Sequence, residues 1–199
     1  MTVPSTARPT SSPWGPIQEA RQEIPGVWWV STASHGGYIL SAERQQAMPT
    51  ALRGPTAHYE EDLDYIRVWL AFRDELADTV STEQYDAALI TMKNWLPNEY
   101  QAHFAIGLQT GDSFMLERQA RIDACIGKLC VRAAIGHGRD AWIPEGMVGL
   151  VGAIVTGRAG ANPCFAAAQT FGICRAVHYR NTFLRTFDEL GATIVSPPA

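Results

Sequence analysis

A chain of 199 residues, 46% hydrophobic and 18% charged, can bury roughly 70% of its unfolded surface, which excludes natively disordered and disulfide-dependent miniprotein classes. The net charge of −4 is unevenly spread, with ten acids against three bases in residues 60–99. Fourteen of the sixteen basic residues are arginine, but they are scattered and form no run interleaved with aromatics, a pattern that argues against direct DNA or RNA binding.

The opening MTVPSTARPTSSP is rich in Pro, Ser and Thr and lacks the apolar core of a signal peptide. It reads as a disordered lead over 1–13, followed by a single domain over 14–199. The longest uncharged stretch, Ala159 to Cys174, is broken by Asn, Pro, Gln and Gly, so no membrane span is expected and a soluble cytoplasmic protein is. Cys125, Cys130, Cys164 and Cys174 read as free thiols, mostly buried in packing.

A Pro25-Gly26 turn leads into the β-favouring Val27–Ser31, which can pair with Tyr38–Leu40 across a Gly36-Gly37 turn. The adjacent Trp28 and Trp29 then point to opposite faces of one strand, leaving one indole free for contact. Ser41 is placed to cap a short helix stopped by Pro49. The spacing predicts a helix over about 59–77, with Tyr59, Leu63, Ile66, Trp69, Leu70, Phe72 and Leu76 on one arc and Glu60, Asp64, Arg67, Asp74 and Asp78 opposite. A capping box, Ser81 with Gln84, opens a helix over about 82–95. A short helix between Pro97 and Phe104 and one over 114–126 capped by Ser113 follow. KLCVRAAI and GMVGLVGAIV read as two strands joined by the loop GHGRDAWIPE. The class is therefore α+β, with a short N-terminal β-hairpin, three to four central helices, and C-terminal antiparallel strands forming one small sheet.

Several separated motifs stand in order along the chain: Trp14-Gly15; Ser31-Thr32-x-Ser34-His35-Gly36-Gly37 with Leu40-Ser41 and Arg44; Met48-Pro49; Tyr59-Glu60-Glu61-Asp62; and Pro144-x-Gly146-Met147-Val148-Gly149. Over roughly residues 13–156 the chain resembles an uncharacterised domain family met mainly in proteins of bacterial plasmids, phages and other mobile elements. Past about Gly157 the pattern is not followed. The resemblance carries no catalytic residues, but it implies a context in which small proteins bind and disable host defence machinery.

His35 admits two readings. Consecutive glycines let backbone N–H groups approach a ligand, as in the His-Gly-Gly oxyanion loop of some α/β-hydrolases. Yet the Gly-x-Ser-x-Gly elbow is absent, and Gly111-Asp112-Ser113-Phe114 lacks the Asp-x-x-His pair that would make it a hydrolase block. The plainer reading makes Gly36-Gly37 a hairpin turn, with the imidazole bonded to the hydroxyl of Ser31, Thr32 or Ser34. Acids in a first helical turn need no further explanation, but Asp62 falls inside the apolar arc and is expected to be buried and partnered. His58, one helical turn earlier, and the loop residue His137 are weaker candidates. No metal and no cofactor are expected. The favoured function is a non-enzymatic inhibitor of the anti-CRISPR or anti-restriction type, meeting a basic protein partner, possibly a host nucleoprotein or nuclease, through Glu60, Glu61, Asp64, Asp74 and Asp78 on a helical face. No membrane or direct nucleic-acid partner is expected. The alternative is a small hydrolase or transferase using His35 with Asp62.

Overall fold

The computed structural model describes residues 6–196. The α+β stretch comprises two compact units, Met1–Ser113 and Phe114–Ala199. Each carries its own antiparallel sheet, of four and five strands, where one small sheet was expected. Among the described residues no helix is long and apolar enough to cross a membrane.

In the first unit the strands β1 (Glu19–Ile24), β2 (Val27–Ser31), β3 (Gly36–Leu40) and β4 (His58–Glu60) pair in that order. Pro25 and Gly26, the latter at φ +80°, form the two-residue turn between β1 and β2, with proline and glycine where a tight turn wants a fixed φ and a positive φ. The predicted β2–β3 pairing is present, but its turn is not at the glycines. Ser31 pairs with Gly36 and Val30 with Gly37, so both glycines lie inside β3 and residues 32–35 make the turn. Thr32 closes it: its N–H and its hydroxyl both donate to the His35 carbonyl, at 2.7 and 2.9 Å, and the hydroxyl accepts from the His35 N–H at 3.2 Å. The lead from residue 6 onward makes contacts of its own. Trp28 Nε1 donates to the Thr6 hydroxyl, and the Ser12 hydroxyl donates to the Gly15 carbonyl. Residues 1–5 of the predicted disordered lead lie outside the described residues.

The helix α1 (Ala42–Ala47) is capped by the Ser41 hydroxyl as predicted. The long helix over 59–77 is not formed. Instead Tyr59 enters β4 opposite Tyr38, residues 61–64 turn, and α2 spans only Tyr65–Ala71. Tertiary contacts override the helical period here. Tyr59 is 1% exposed, and its hydroxyl donates to Gln45 Oε1 and accepts from the Gly54 N–H, partners that a helical Tyr59 would forgo. The helices α3 (Thr82–Trp95), with the Ser81–Gln84 capping box, and α4 (Pro97–Phe104) stand where predicted. The unit's core gathers Val27, Leu40, Met48, Leu52, Ile66 and Met92 with the buried rings of Tyr38, Tyr59 and Tyr85. Trp28 and Trp29 are both half-buried, so neither is the free indole expected; Trp95, on α3, is the tryptophan that is 48% exposed.

The second unit opens with α5 (Phe114–Cys125) and continues through β5 (Leu129–Gly136), β6 (Met147–Ala159), β7 (Asn162–Phe165), β8 (Thr170–Arg175) and β9 (Thr193–Val195). The predicted β5–β6 pair forms, and the long β6 pairs with β8 along its first half and with β7 along its second. Two glycines of β6 have a steric cause: the Ile143 and Trp142 side chains lie where a Cβ on Gly149 would sit, and the Phe187 ring where one on Gly152 would, as it does at Gly172 of β8. Cys125, Cys130 and Cys174 are buried free thiols and Cys164 is exposed. Burial pushes the Cys130 thiol up to about 12, which leaves it protonated and unreactive at neutral pH.

Glu189 staples the end of this unit. It accepts from the Arg121 and Arg185 side chains and from the Thr186 N–H, while the Thr186 hydroxyl accepts from the Glu189 N–H. The hydrogen bond from Arg121, above all, lowers the carboxyl from 4.5 to about 2. A depressed folded-state value stabilises above the unfolded one and is lost as pH falls through the folded one. Urea midpoints of the wild type are therefore expected to drop between about pH 4.5 and 2, with a shallower drop in Glu189→Gln across the same window. Parallel curves for the two proteins would assign the acid sensitivity to other carboxylates.

Candidate functional site

Trp14, the His35–Gly37 run and Tyr59–Glu61 meet at one end of the first sheet. The turn held by Thr32 puts His35 immediately before β3, and β4 runs beside β3 with Gly37 opposite Glu60. The Glu61 N–H donates to the Gly36 carbonyl at 3.1 Å. Gly36 and Gly37 serve here as clearances. A Cβ on Gly36 would stand 2.6 Å from Glu61 Oε2, and one on Gly37 would meet the Tyr59 carbonyl and stand 2.6 Å from the Trp14 ring. Trp14, the His-Gly-Gly run and Tyr59-Glu60-Glu61 thus form a single packed constellation.

The imidazole bonds none of the neighbouring hydroxyls. His35 Nδ1 lies 3.5 Å from Glu60 Oε1, with the imidazole 52% and the Glu60 side chain 28% exposed. Glu60 Oε2 accepts from the Asp62 N–H at 2.7 Å, whereas Oε1 is buried and has no hydrogen-bond donor. A buried carboxylate oxygen without a donor is costly, and an N–H on the neighbouring imidazole nitrogen, a water or a cation would satisfy it in place. One donor atom each from His35, Glu60 and Glu61 lies within 4.8 Å of the others. A nitrogen and two carboxylate oxygens at this separation can hold a divalent cation with positions left for water, or can pass a proton between imidazole and carboxylate.

The other predicted positions fall elsewhere. Asp62 is exposed, because the turn at 61–64 replaces the helix whose apolar arc was to bury it, and it reaches Glu60 only through its backbone. His58 lies in β4 with its ring edge-on to Trp14 at 6.2 Å, so no helical His58–Asp62 pair exists. Asp64 is tied to Arg67 at 3.0 Å, and Arg67 also holds Glu99 at 2.9 Å. Asp74 and Asp78 are exposed in the connection between α2 and α3. The acidic helical face is therefore corrected: α2 reads YIRVWLA and contains no acid. His137 is exposed. Sequence reasoning missed Thr32 as the turn's clamp and Arg44 as a buried ion, although both belong to the separated motifs.

Fold and site together define a mixed α/β protein with a surface His–Glu–Glu cluster built on a sheet end. The family model described as "Domain of unknown function (DUF7007)" matches residues 7–125, and the chain belongs to that family. The match takes in the first unit and α5, including the constellation around His35, and stops before the Pro144–Gly149 motif. No curated protein and no solved structure matches the chain.

Proposed function

We propose that this chain is a non-enzymatic binding protein whose first unit meets a basic protein surface. One observation carries the reading: Asp74, Asp78 and Asp86 are exposed and form no ion pair among the described residues. Met1–Ser113 holds fourteen Asp and Glu against seven Lys and Arg. Of those bases, Arg21, Arg44, Arg67 and Lys93 are already engaged by Glu23, Glu75, Asp64 with Glu99, and Asp112. Along the 72–86 segment Arg73 is the one base against five acids, so the segment keeps a negative surplus, and such a surface steers a positively charged partner. The mobile-element context implied by the motifs makes host defence machinery the partner class, as for an anti-CRISPR or anti-restriction inhibitor.

The test is capture of a partner from bacterial lysate, followed by binding kinetics of the pair. Charge reversal at Asp74, Asp78 and Asp86 is expected to weaken binding at least tenfold, to flatten the fall of the on-rate with salt, and to leave the melting temperature nearly unchanged. His35→Ala is expected to bind as wild type. Loss of binding in His35→Ala alone would overturn the reading. The orphaned Glu60 Oε1 beside His35 favours a second reading, acid–base or cation-assisted hydrolysis with His35, Glu60 and Glu61 as the working groups. Turnover abolished by Glu60→Gln would establish it.

A further inference from the structure

The second unit reverses the charge balance, with nine Lys and Arg against six Asp and Glu in Phe114–Ala199. A hollow of about 510 Å³ in it is lined by Arg118, Arg132, Arg180 and Arg185 and by no acid. Four guanidinium groups around one hollow repel one another unless an anion lies between them. Two of them already lie against rings: the Arg118 guanidinium carbon stands 3.5 Å from the centre of the Phe183 ring and that of Arg132 5.1 Å from the centre of the Phe165 ring. The ring contacts hold the two guanidinium groups in place while leaving most of their N–H donors unused. Arg118 spends only Nε, on the Ala161 carbonyl, and Arg180 only Nη1, on the carbonyls of Val177 and Tyr179. Arg185 alone meets a carboxylate, that of Glu189. Arg132 and Arg180 form no ion pair among the described residues.

We propose that this groove binds the phosphates of a nucleotide, free or within a single strand. Preoriented guanidinium forks match phosphate oxygens two at a time. The volume falls in the range of ordinary ligand clefts, and guanidinium groups lying against rings offer flat faces on which a base stacks. A lone carboxylate neutralises one cation, whereas a nucleotide chain or a triphosphate delivers several negative charges to the same small space. The sequence reading argued against nucleic acid because the arginines are dispersed. The fold brings four of them together: Arg118 from α5, Arg132 from β5, and Arg180 and Arg185 from the segment that follows β8.

The experiment uses the full chain and fluorescence anisotropy with a labelled oligothymidylate of about twelve nucleotides, with ATP and polyglutamate as competitors. The chain's net charge is −4, so generic attraction to a polyanion is not expected. Arg132→Ala combined with Arg180→Ala should weaken binding at least tenfold and reduce the salt dependence by about two phosphate contacts. Arg139→Ala combined with Arg175→Ala, the same loss of charge outside the groove, should change binding less than twofold. Both doubles should melt as wild type does. Tighter binding of the oligonucleotide than of ATP assigns the phosphates to a strand, and equal or tighter ATP binding assigns them to a free nucleotide. Absence of binding to either probe, equal weakening by both doubles, or displacement by polyglutamate as readily as by ATP would overturn the proposal.

Discussion

Gly37→Val is expected to destabilise the first unit by about 3 kcal/mol or more, lowering its melting temperature by roughly 10 °C. Two independent costs add at this position. The backbone φ is +156°, which L side chains rarely adopt. A Cβ there would also drive into the Tyr59 carbonyl of the paired strand and stand 2.6 Å from the Trp14 ring. The Tyr59 carbonyl cannot yield cheaply, because it belongs to the sheet backbone and Tyr59 itself is buried. Gly37→Ala should show most of the loss, since the first carbon already collides. His35→Ala, two residues away with its imidazole 52% exposed, should cost less than about 1 kcal/mol. Thermal melts of the three variants decide the matter. A Gly37→Val protein that melts like wild type would mean that Trp14 does not pack on β3.

Glu75→Ala is expected to cost about 3 kcal/mol, although Glu75 itself is half in water. The reason lies in its partner. The Arg44 side chain is 5% exposed against 50% for Glu75, and its guanidinium makes a two-pronged pair with that carboxylate at 2.6 and 2.7 Å. Arg44 also donates Nε to the Pro25 carbonyl and lies 4.9 Å over the Phe72 ring. Hydrogen bonding from Arg44 holds the Glu75 carboxyl below its ordinary value of 4.5. Removing the carboxylate leaves a buried cation without its counter-charge, whereas Arg44→Met removes that cation, roughly fills its volume and returns Glu75 to solvent. Arg44→Met should therefore cost less, about 1–2 kcal/mol for the lost hydrogen bonds. The double variant should recover part of the Glu75→Ala loss. Urea midpoints give all three values, and an Arg44→Met protein less stable than Glu75→Ala would show that packing of the Arg44 stem outweighs its charge.

Much of the local structure was legible because its signals act over a few residues. Ser41 and the Ser81–Gln84 box cap α1 and α3 through hydrogen bonds to their own first turns, and Pro49 and Pro97 mark helix boundaries by lacking a donor. The β-branched and apolar runs of β2, β5 and β6 likewise carried their own strand signal. The separated motifs pointed to the family and to the residues that surround His35. The tertiary structure decided whatever depends on partners distant in sequence. Glu19–Ile24 is polar and reads as no strand, yet as an edge strand it needs only one neighbour and pairs with β2. Tyr59 and Asp62 follow a helical period, but the Tyr59 hydroxyl finds Gln45 and Gly54 only when β4 closes on β3, and that closure turns Asp62 into solvent and brings Glu60 and Glu61 to His35. The glycines of the His-Gly-Gly run looked like a turn because glycine permits one; the crossing of Trp14 and Glu61 over them is a through-space demand that no local window contains. The arginine groove is the extreme case: a charge cluster is invisible in a chain whose cations lie up to 67 positions apart, and only the packing of α5, β5 and the segment after β8 makes them neighbours.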